Sequence, residues 1–249
     1  MIINYKEPYW IKYEWDLSDH KDDQYVTEFN KIESKKIYNL FHQLSYSITV
    51  QFKLNKDLES DQIFCIFGKP GKNFGLTFNK DVNRLAFEFW TTGQTKIAGD
   101  DFHYLPFSNV TLDELYEGIT VTIIRNEDEF SIYKNFEFQD AIDFPQNLIE
   151  DYRGEGLLLG AANVGTLIPE HRYYGGFEIF KMQFLEENID IEIAKKIFNT
   201  DTDKLLSLKQ YDKIVFSYDF ETVNNQGIIF DGAKHNHFVE KIPENFLNF

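Results

Sequence analysis

Apolar and polar side chains alternate strictly over residues 45–54, SYSITVQFKL. A period of two is typical of a strand that lays one face on a core and turns the other outward. The stretch therefore predicts a half-buried strand. The predicted core face carries Ile48, Val50, Phe52 and Leu54, and the opposite face carries Ser47, Thr49, Gln51 and Lys53.

The stretch RLAFEFWTTG, which begins at Arg84, has the same period. It predicts a second strand whose two faces differ in chemistry. Leu85, Phe87 and Phe89 form the predicted core face, and Ala86, Glu88 and Trp90 lie on the opposite face.

A hairpin is predicted over GITVTIIRNEDEFSIYKN, residues 118–135, because two β-prone runs flank the turn-forming Asn126–Asp128. In these runs Val121, Ile123, Phe130 and Ile132 alternate with polar neighbours and form one face. A short apolar strand, EGLLLGAANVG, and an alternating strand, GGFEIFKMQFLEE, come next. The segment IDIEIAKKIFN then predicts a helix with Asp190 as its N-cap. The predicted buried face of this helix carries Ile191, Ala194, Ile197 and Phe198.

Further elements are predicted on either side of this block. DQIFCIFGKPGKNFGLTFN gives two strands joined by a Pro/Gly turn, and residues 32–44 suggest either a helical turn or an irregular segment. GDDFHYLPF is interpreted as a loop, and Thr111 and Glu114 have the spacing of a capping box that begins a helical turn at Thr111–Glu117. In KIVFSYDFE, alternation places Ile214, Phe216 and Tyr218 on one face of a strand.

This order of hairpin, short strand, long strand and helix resembles the second half of the laminin-G-like, concanavalin A-like lectin/glucanase sandwiches. The resemblance implies an all-β fold: an antiparallel two-sheet β-sandwich, or jelly roll, with one or two short helices. It implies one domain over 1–249, with residues 211–249 closing the sheet beside the first strands. The resemblance depends on Val121–Arg125, Phe130–Asn135, Leu157–Ala161, Gly176–Met182 and Ile189–Phe198.

Charge excludes some classes of partner. The chain has 41 acidic and 25 basic residues, a net charge of −16, and so repels nucleic-acid phosphates and anionic lipid headgroups. The single cysteine, Cys65, forms no intrachain disulfide and falls in an apolar run that predicts burial. The N-terminal residues resemble neither a signal peptide nor a membrane span, so cytoplasm is the default compartment, with a virion or cell surface as the alternative.

The resemblance implies a glycan or polysaccharide as ligand. Sugar recognition needs an aromatic ring to stack on the sugar and polar groups for its hydroxyls. Glu88 and Trp90 offer both on one strand face, with the alternative that Trp90 packs under a loop. Tyr173 and Tyr174, at a strand entrance, are either rim contacts or covers of a sheet edge. The predicted ligand-binding residues are Glu88, Trp90, Asp101, His103, Arg172, Tyr173 and Tyr174.

Calcium is the candidate cofactor, because it needs six or more oxygen ligands and acidic pairs occur in predicted loops. Asp100 and Asp101, together with Asp231, are the candidate ligands, although no DxDxDG-type loop is present. The dense run Asp231, His235, Asn236 and His237 is interpreted as a turn rather than a zinc site, since nothing upstream supplies further ligands.

No catalytic motif stands out. Glucanases of this fold carry E-x-D-x-E on one strand, whereas here Asp219-Phe220-Glu221 is preceded by Ser217 where a glutamate is required. The sequence therefore favours a glycan-binding module that does not cleave its ligand. A glycoside hydrolase or lyase with an unrecognised carboxylate pair is one alternative. A structural or protein-interaction domain of a larger polysaccharide-related enzyme or phage fibre is another. A second copy of the chain, in a homo-oligomer, or a larger protein to which it is attached is the further partner expected.

Overall fold

A computed structural model describes residues 3–4, 9–13, 45–56, 63–68, 74–91, 101–143, 157–159, 177–187, 189–223, 229–231 and 237–241. The helical turn predicted within 32–44 lies outside these residues. The described ranges contain fifteen strands: β1 (Ile3–Asn4), β2 (Tyr9–Tyr13), β3 (Ser45–Leu54), β4 (Ile63–Gly68), β5 (Phe74–Asn79), β6 (Arg84–Thr91), β7 (Asp101–Pro106), β8 (Ile119–Asn126), β9 (Glu129–Lys134), β10 (Glu137–Asp143), β11 (Leu157–Leu159), β12 (Phe177–Glu186), β13 (Ile214–Val223), β14 (Ile229–Asp231) and β15 (His237–Lys241).

These strands form two antiparallel sheets. Sheet A has the order β10–β9–β8–β3–β12–β13–β14, with β1 beside β12, and sheet B has the order β15–β2–β11–β4–β5–β6–β7. Two α-helices, α1 (Leu112–Glu117) and α2 (Ile191–Phe198), and two 3-10 helices, Thr202–Ser207 and Tyr211–Lys213, complete the described elements. The all-β, two-sheet antiparallel sandwich predicted from the sequence is confirmed. Within the described ranges, none of the helices combines the length and apolar character needed to cross a bilayer.

The main core lies between the two sheets. Phe87 of β6 and Phe130 of β9 meet with their ring centres 4.9 Å apart, so the inward face of one sheet touches that of the other. The predicted inward faces of β3, β6 and the β8–β9 hairpin are all part of this core, which confirms those three predictions. The buried members from these strands are Tyr46, Ile48, Val50, Phe52, Leu54, Leu85, Phe87, Phe89, Ile119, Val121, Ile123, Phe130 and Ile132.

A second apolar cluster covers part of the outward face of sheet A. Helix α2 begins at Asp190, whose side chain accepts a hydrogen bond from the Ile193 N–H at 2.7 Å, as predicted. The helix packs against β3 and β8. Its apolar face and the first 3-10 helix join two strand residues in this cluster. The members are Leu185, Ile189, Ala194, Ile197, Leu205 and Ile214.

The coverage of sheet A corrects one prediction about β3. Ser47 and Thr49 do point away from the main core, but they are 0% and 1% exposed, because the outward face of this sheet is itself covered. The Thr49 hydroxyl is hydrogen-bonded to that of Thr122 on β8 at 3.1 Å, and the Gln183 amide donates to the Ser217 hydroxyl at 3.1 Å. A row of buried polar groups therefore crosses sheet A.

The prediction that Ile214 shares a face with Phe216 and Tyr218 is wrong. The pairing of β12 with β13 shifts between Phe184/Phe216 and Leu185/Ile214, which leaves Val215 as an extra residue. Such a bulge breaks the alternation of side chains. Ile214 consequently joins the outer cluster with helix α2, whereas Phe216 and Tyr218 remain in the main core.

The segment GDDFHYLPF, predicted as a loop, contains strand β7, which is the edge strand of sheet B. Pro106 at its end is compatible with an edge position, since proline lacks the N–H that an interior strand must donate. Helix α1 follows, and its capping box is confirmed: Thr111 accepts from the Glu114 N–H at 3.3 Å, and the Glu114 carboxylate accepts from the Thr111 N–H at 2.8 Å.

Candidate functional site

Strand β6 presents Glu88 on the outward face of sheet B. Leu85, Phe87 and Phe89 point into the main core and are at most 1% exposed. Because side chains alternate along a strand, Arg84, Ala86 and Glu88 share the opposite face. The predicted orientation of Glu88 is therefore confirmed.

Register places Glu88 between two neighbouring strands. It lies opposite Gly75 of β5 on one side and Tyr104 of β7 on the other. Two pairs further along, Ala86 lies opposite Thr77 of β5. The side chain of Arg84 reaches along this face, so that its guanidinium carbon lies 4.9 Å from the centre of the Tyr104 ring. We call Thr77, Arg84, Glu88 and Tyr104 the Glu88 cluster.

The carboxyl group of Glu88 is largely withdrawn from water. Burial raises its pKa above the ordinary value, because a low-dielectric environment disfavours the charged form. A hydrogen bond from the Thr77 side chain and the positive charge of Arg84 offset part of that rise. The result is an acidic group with a hydroxyl partner, Thr77, and a positive charge, Arg84, acting on it.

Tyr104 gives this cluster an accessible aromatic surface. Its side chain is 48% exposed, which is unusual for a large apolar ring in this protein. A tyrosine ring on a sheet face can stack against the C–H face of a sugar, while carboxylate and guanidinium groups accept and donate hydrogen bonds to hydroxyls. The Glu88 cluster therefore has the groups that glycan recognition requires.

Sequence reasoning did not identify Tyr104, Arg84 or Thr77 as site residues. Because GDDFHYLPF is interpreted as a loop from the sequence, the strand pairing that brings Tyr104 beside Glu88 is not predicted. The segment gave no clear period-two signal, because Phe102, His103, Tyr104 and Leu105 do not alternate between apolar and polar. The distance between Arg84 and Tyr104 depends on cross-strand pairing and could not be obtained from either strand alone.

His103 does not join the Glu88 cluster. It lies opposite Phe89, a core residue, and the two rings stack with centres 5.0 Å apart and an angle of 15° between their planes. His103 is thus on the inward side of β7, and Glu88 is on the outward side of β6. The structure separates these two predicted site residues.

The other predicted binding residues are described in part or not at all. The backbones of Trp90 and Asp101 lie in β6 and β7, where Trp90 pairs with Phe102 and Thr91 pairs with Asp101. Trp90 therefore lies two positions after Glu88 in β6, and Asp101 lies three positions before Tyr104 in β7. Their side chains, and the whole of Arg172, Tyr173 and Tyr174, lie outside what the structure describes.

Metal binding by the predicted ligands stays a prediction. Asp100 lies outside the described residues, and the structure describes only the backbone of Asp101 and Asp231. Among the side chains that are described, no group of three or more His, Cys, Asp or Glu residues is placed to hold a metal ion.

The same face offers one described carboxylate. On the outward positions of β5, β6 and β7 that the structure describes, Glu88 is the sole acid, alongside residues such as Thr77, Arg84 and Tyr104. Hydrolysis of a glycosidic bond generally uses two carboxyl groups about 5–9.5 Å apart. The described part of this face supplies one such group, Glu88.

No protein-family model matches the chain, and no curated protein matches it. Among solved structures, a Bacteroides ovatus protein named as a candidate carbohydrate binding protein has a TM-score of 0.57 at 12% identity, over 95% of this chain and 57% of that one. The CBM40 of Ruminococcus gnavus IT-sialidase bound to α2,3-sialyllactose has a TM-score of 0.45 at 14% identity, over 63% and 85% of the two chains.

The binding domain of botulinum neurotoxin DC in complex with SialylT has a TM-score of 0.45 at 14% identity, over 65% of this chain and 36% of that one. The similarity to the Bacteroides ovatus protein shows a shared fold. The TM-scores of the other two structures are too low to support any conclusion. This chain spans little more than half of the Bacteroides ovatus protein.

Proposed function

We propose that this chain is a non-catalytic, lectin-like module that binds a glycan or polysaccharide on the outward face of sheet B. The observation that carries the proposal is the exposed ring of Tyr104 beside the carboxylate of Glu88 and the guanidinium of Arg84. The ring offers a stacking surface, the carboxylate accepts from sugar hydroxyls, and the guanidinium donates to them.

The predicted residues extend this site. Trp90 lies two positions from Glu88 along β6, so its side chain would enlarge the aromatic surface on the same face. Asp101 lies three positions from Tyr104, at the start of β7, and would add an acidic group at the end of the sheet. Arg172, Tyr173 and Tyr174 would form the rim. If a calcium ion bridges the protein and the glycan, Asp100, Asp101 and Asp231 would supply carboxylate ligands to it.

The proposal also includes membership of the concanavalin A-like, laminin-G-like jelly rolls. Its support is the order of the β8–β9 hairpin, β11, β12 and α2, which is the order that the family's second half shows. The two-sheet sandwich and the fold shared with the Bacteroides ovatus protein are consistent with it.

A glycan array probed with the full chain, with and without calcium, tests the proposal. The strongest binder is then titrated against Tyr104→Ala and Trp90→Ala. We expect each variant to weaken binding about tenfold, equivalent to about 1.4 kcal/mol. Phe138→Ala is the matched control, because Phe138 is another exposed aromatic side chain, 61% exposed, but lies on sheet A. Unchanged binding by both the Tyr104 and Trp90 variants would exclude this face.

A glycoside hydrolase or lyase is the second candidate, and the raised pKa of Glu88 is the observation that favours it. A carboxyl group that holds its proton at higher pH suits a general acid. The distinguishing measurement is release of reducing or unsaturated sugar from the polysaccharide that binds. Release that Glu88→Gln abolishes would replace the binding proposal with this one.

A further inference from the structure

Arg84 and Tyr104 meet on the outward face of sheet B although they are not paired residues. Tyr104 lies opposite Glu88, and the next outward pair on these two strands is Pro106 with Ala86. Arg84 lies two positions before Ala86 on the same face of β6. The guanidinium and the ring therefore approach each other diagonally across the Ala86–Pro106 pair, with 4.9 Å between the guanidinium carbon and the ring centre.

The residues between these two side chains are short, which leaves room for the contact. Ala86 carries only a methyl group, and the ring of Pro106 is bonded back to its own backbone. Ala86 faces outward and yet is 1% exposed, which is the burial expected of a methyl group beneath longer side chains. A bulky side chain at either position would obstruct the approach of Arg84 to Tyr104.

We propose that Arg84 is a positioning residue of this site, whose guanidinium holds the Tyr104 ring so that one ring face is left for a sugar. The inference rests on the proposed function. A cation is attracted to the electron-rich face of an aromatic ring, and this contact lies within the range of about 6 Å over which the attraction is significant. Tyr104 is still 48% exposed, so ring surface remains available to a ligand.

Fixing the ring before a ligand arrives lowers the cost of binding. Tyr104 lies on the edge strand of sheet B, and an exposed tyrosine on a strand commonly adopts χ1 of about 180° or about −60°. A sugar that stacks on a free ring must select one of these rotamers, and immobilising one side chain costs a factor of about two to ten in affinity. Arg84 removes part of that cost and restricts stacking to one side of the ring.

A double-mutant cycle separates positioning from direct contact with the sugar. Trisaccharides of glucose, galactose and mannose, together with the strongest binder from the array, are titrated calorimetrically against the full chain. Arg84→Ala should weaken binding about tenfold in the unmodified chain. In the Tyr104→Ala background the same substitution should weaken binding at most about threefold, because no ring is left to hold. Equal losses in the two backgrounds would overturn the positioning role.

Two further variants test whether the cation itself is responsible. Arg84→Lys keeps a positive charge that can face the ring, and should bind at least about threefold more tightly than Arg84→Ala. Lys195→Ala is the matched control, because Lys195 is an exposed cation over a different ring, that of Phe136, at 5.9 Å. The control should leave the affinity unchanged. A lysine variant that binds no better than the alanine variant would contradict the role of the cation.

A measurement without glycan separates this inference from the function beneath it. In a chain with isotope-labelled tyrosine rings, the NMR resonances that disappear in Tyr104→Ala identify Tyr104. Arg84→Ala should shift these resonances, because it removes the cation beside the ring, and Lys195→Ala should not. Unshifted resonances would overturn the positioning role while leaving glycan binding intact. Shifted resonances in a chain that binds no glycan would remove the proposed function, and the positioning role with it, although the contact itself would stand.

Discussion

Phe130 of sheet A and Phe87 of sheet B meet edge to face across the main core, at 4.9 Å between ring centres and 69° between ring planes. Phe130 also packs on Phe89 at 4.8 Å and on Tyr46 at 6.4 Å. One ring of sheet A thus holds two neighbouring rings of β6 against it. The strand that carries Glu88 is fixed in position by this contact.

Phe130→Ala should therefore destabilise the sandwich strongly. Removing a fully buried ring loses its transfer free energy and leaves a cavity, so the free energy of unfolding should fall by about 3–5 kcal/mol. Urea denaturation measures it. Phe138→Ala, at a 61% exposed position, should change it by less than about 0.5 kcal/mol. Similar small effects from both substitutions would contradict the inter-sheet packing.

The turn between β9 and β10 places an aromatic residue in a left-handed conformation. Phe136 has φ of 68°, next to Asn135 with φ of 50°. Its ring packs edge-on against Phe198 at the end of α2, 6.0 Å between centres, with the Lys195 ammonium 5.9 Å away. Contact with the helix end offsets the cost of the strained backbone, which is about 1–2 kcal/mol for a residue other than glycine.

Comparison of Phe136→Gly with Phe136→Ala isolates that backbone cost, because both variants lose the ring. We expect the glycine variant to be the more stable of the two by about 1 kcal/mol. At the exposed helical position Lys196, the same pair should show the opposite order, with alanine better by about 1 kcal/mol. Alanine equal to or better than glycine at position 136 would argue against the left-handed turn.

The buried row on sheet A contains one hydroxyl without a partner. Ser47 is fully buried, and its oxygen makes no hydrogen bond in the part of the chain that the structure describes. Ser47→Ala should consequently raise the free energy of unfolding by about 1 kcal/mol, since it removes an unsatisfied buried group. Thr49→Val is the control, because it breaks the bond to Thr122 and should lower that free energy by about 1–3 kcal/mol. A destabilised Ser47→Ala would point to an unseen partner such as a bound water.

Glu88 should impose a pH dependence on stability. Since the pKa of its carboxyl is raised in the folded chain, mainly by burial, the folded state takes up this proton at higher pH than the unfolded state. The contribution of Glu88 to stability therefore falls as pH rises through the folded-state pKa. Glu88→Gln should therefore stabilise the chain at pH 7, and the gain should shrink as pH falls towards 4, because the carboxyl then becomes increasingly protonated in the unfolded state too.

Glu114→Gln is the matched control for pH and should behave in the opposite sense. A hydrogen bond from Lys134, and then bonds from Thr111, lower the pKa of the Glu114 carboxyl in the folded chain. Its stabilising contribution is present at neutral pH and is lost as pH falls through the folded-state pKa. Thermal melting of both variants between about pH 3 and pH 8, a range that extends below the ordinary pKa of a glutamate, checks the two signs. The same sign for both would contradict the placement of Glu88 in a partly buried site.

The sequence alone determined those strands and helix ends that are specified by residues close together in the chain. The period of two in β3, β6 and the β8–β9 hairpin identified their core faces, because a strand can bury only alternate side chains on one core. The caps of α1 and α2 followed from Thr111, Glu114 and Asp190, whose side chains bond backbone groups within three residues. From these elements the two-sheet sandwich could be predicted.

Only the tertiary structure decided the features that depend on which strands are neighbours. The bulge at Val215, which sends Ile214 to the other face, arises from its pairing with β12, and the burial of Ser47 arises from the covering of sheet A. The Glu88 cluster has the same origin. Arg84 and Tyr104 are twenty positions apart in sequence and meet because β6 and β7 pair in one register, which no pattern within either strand specifies.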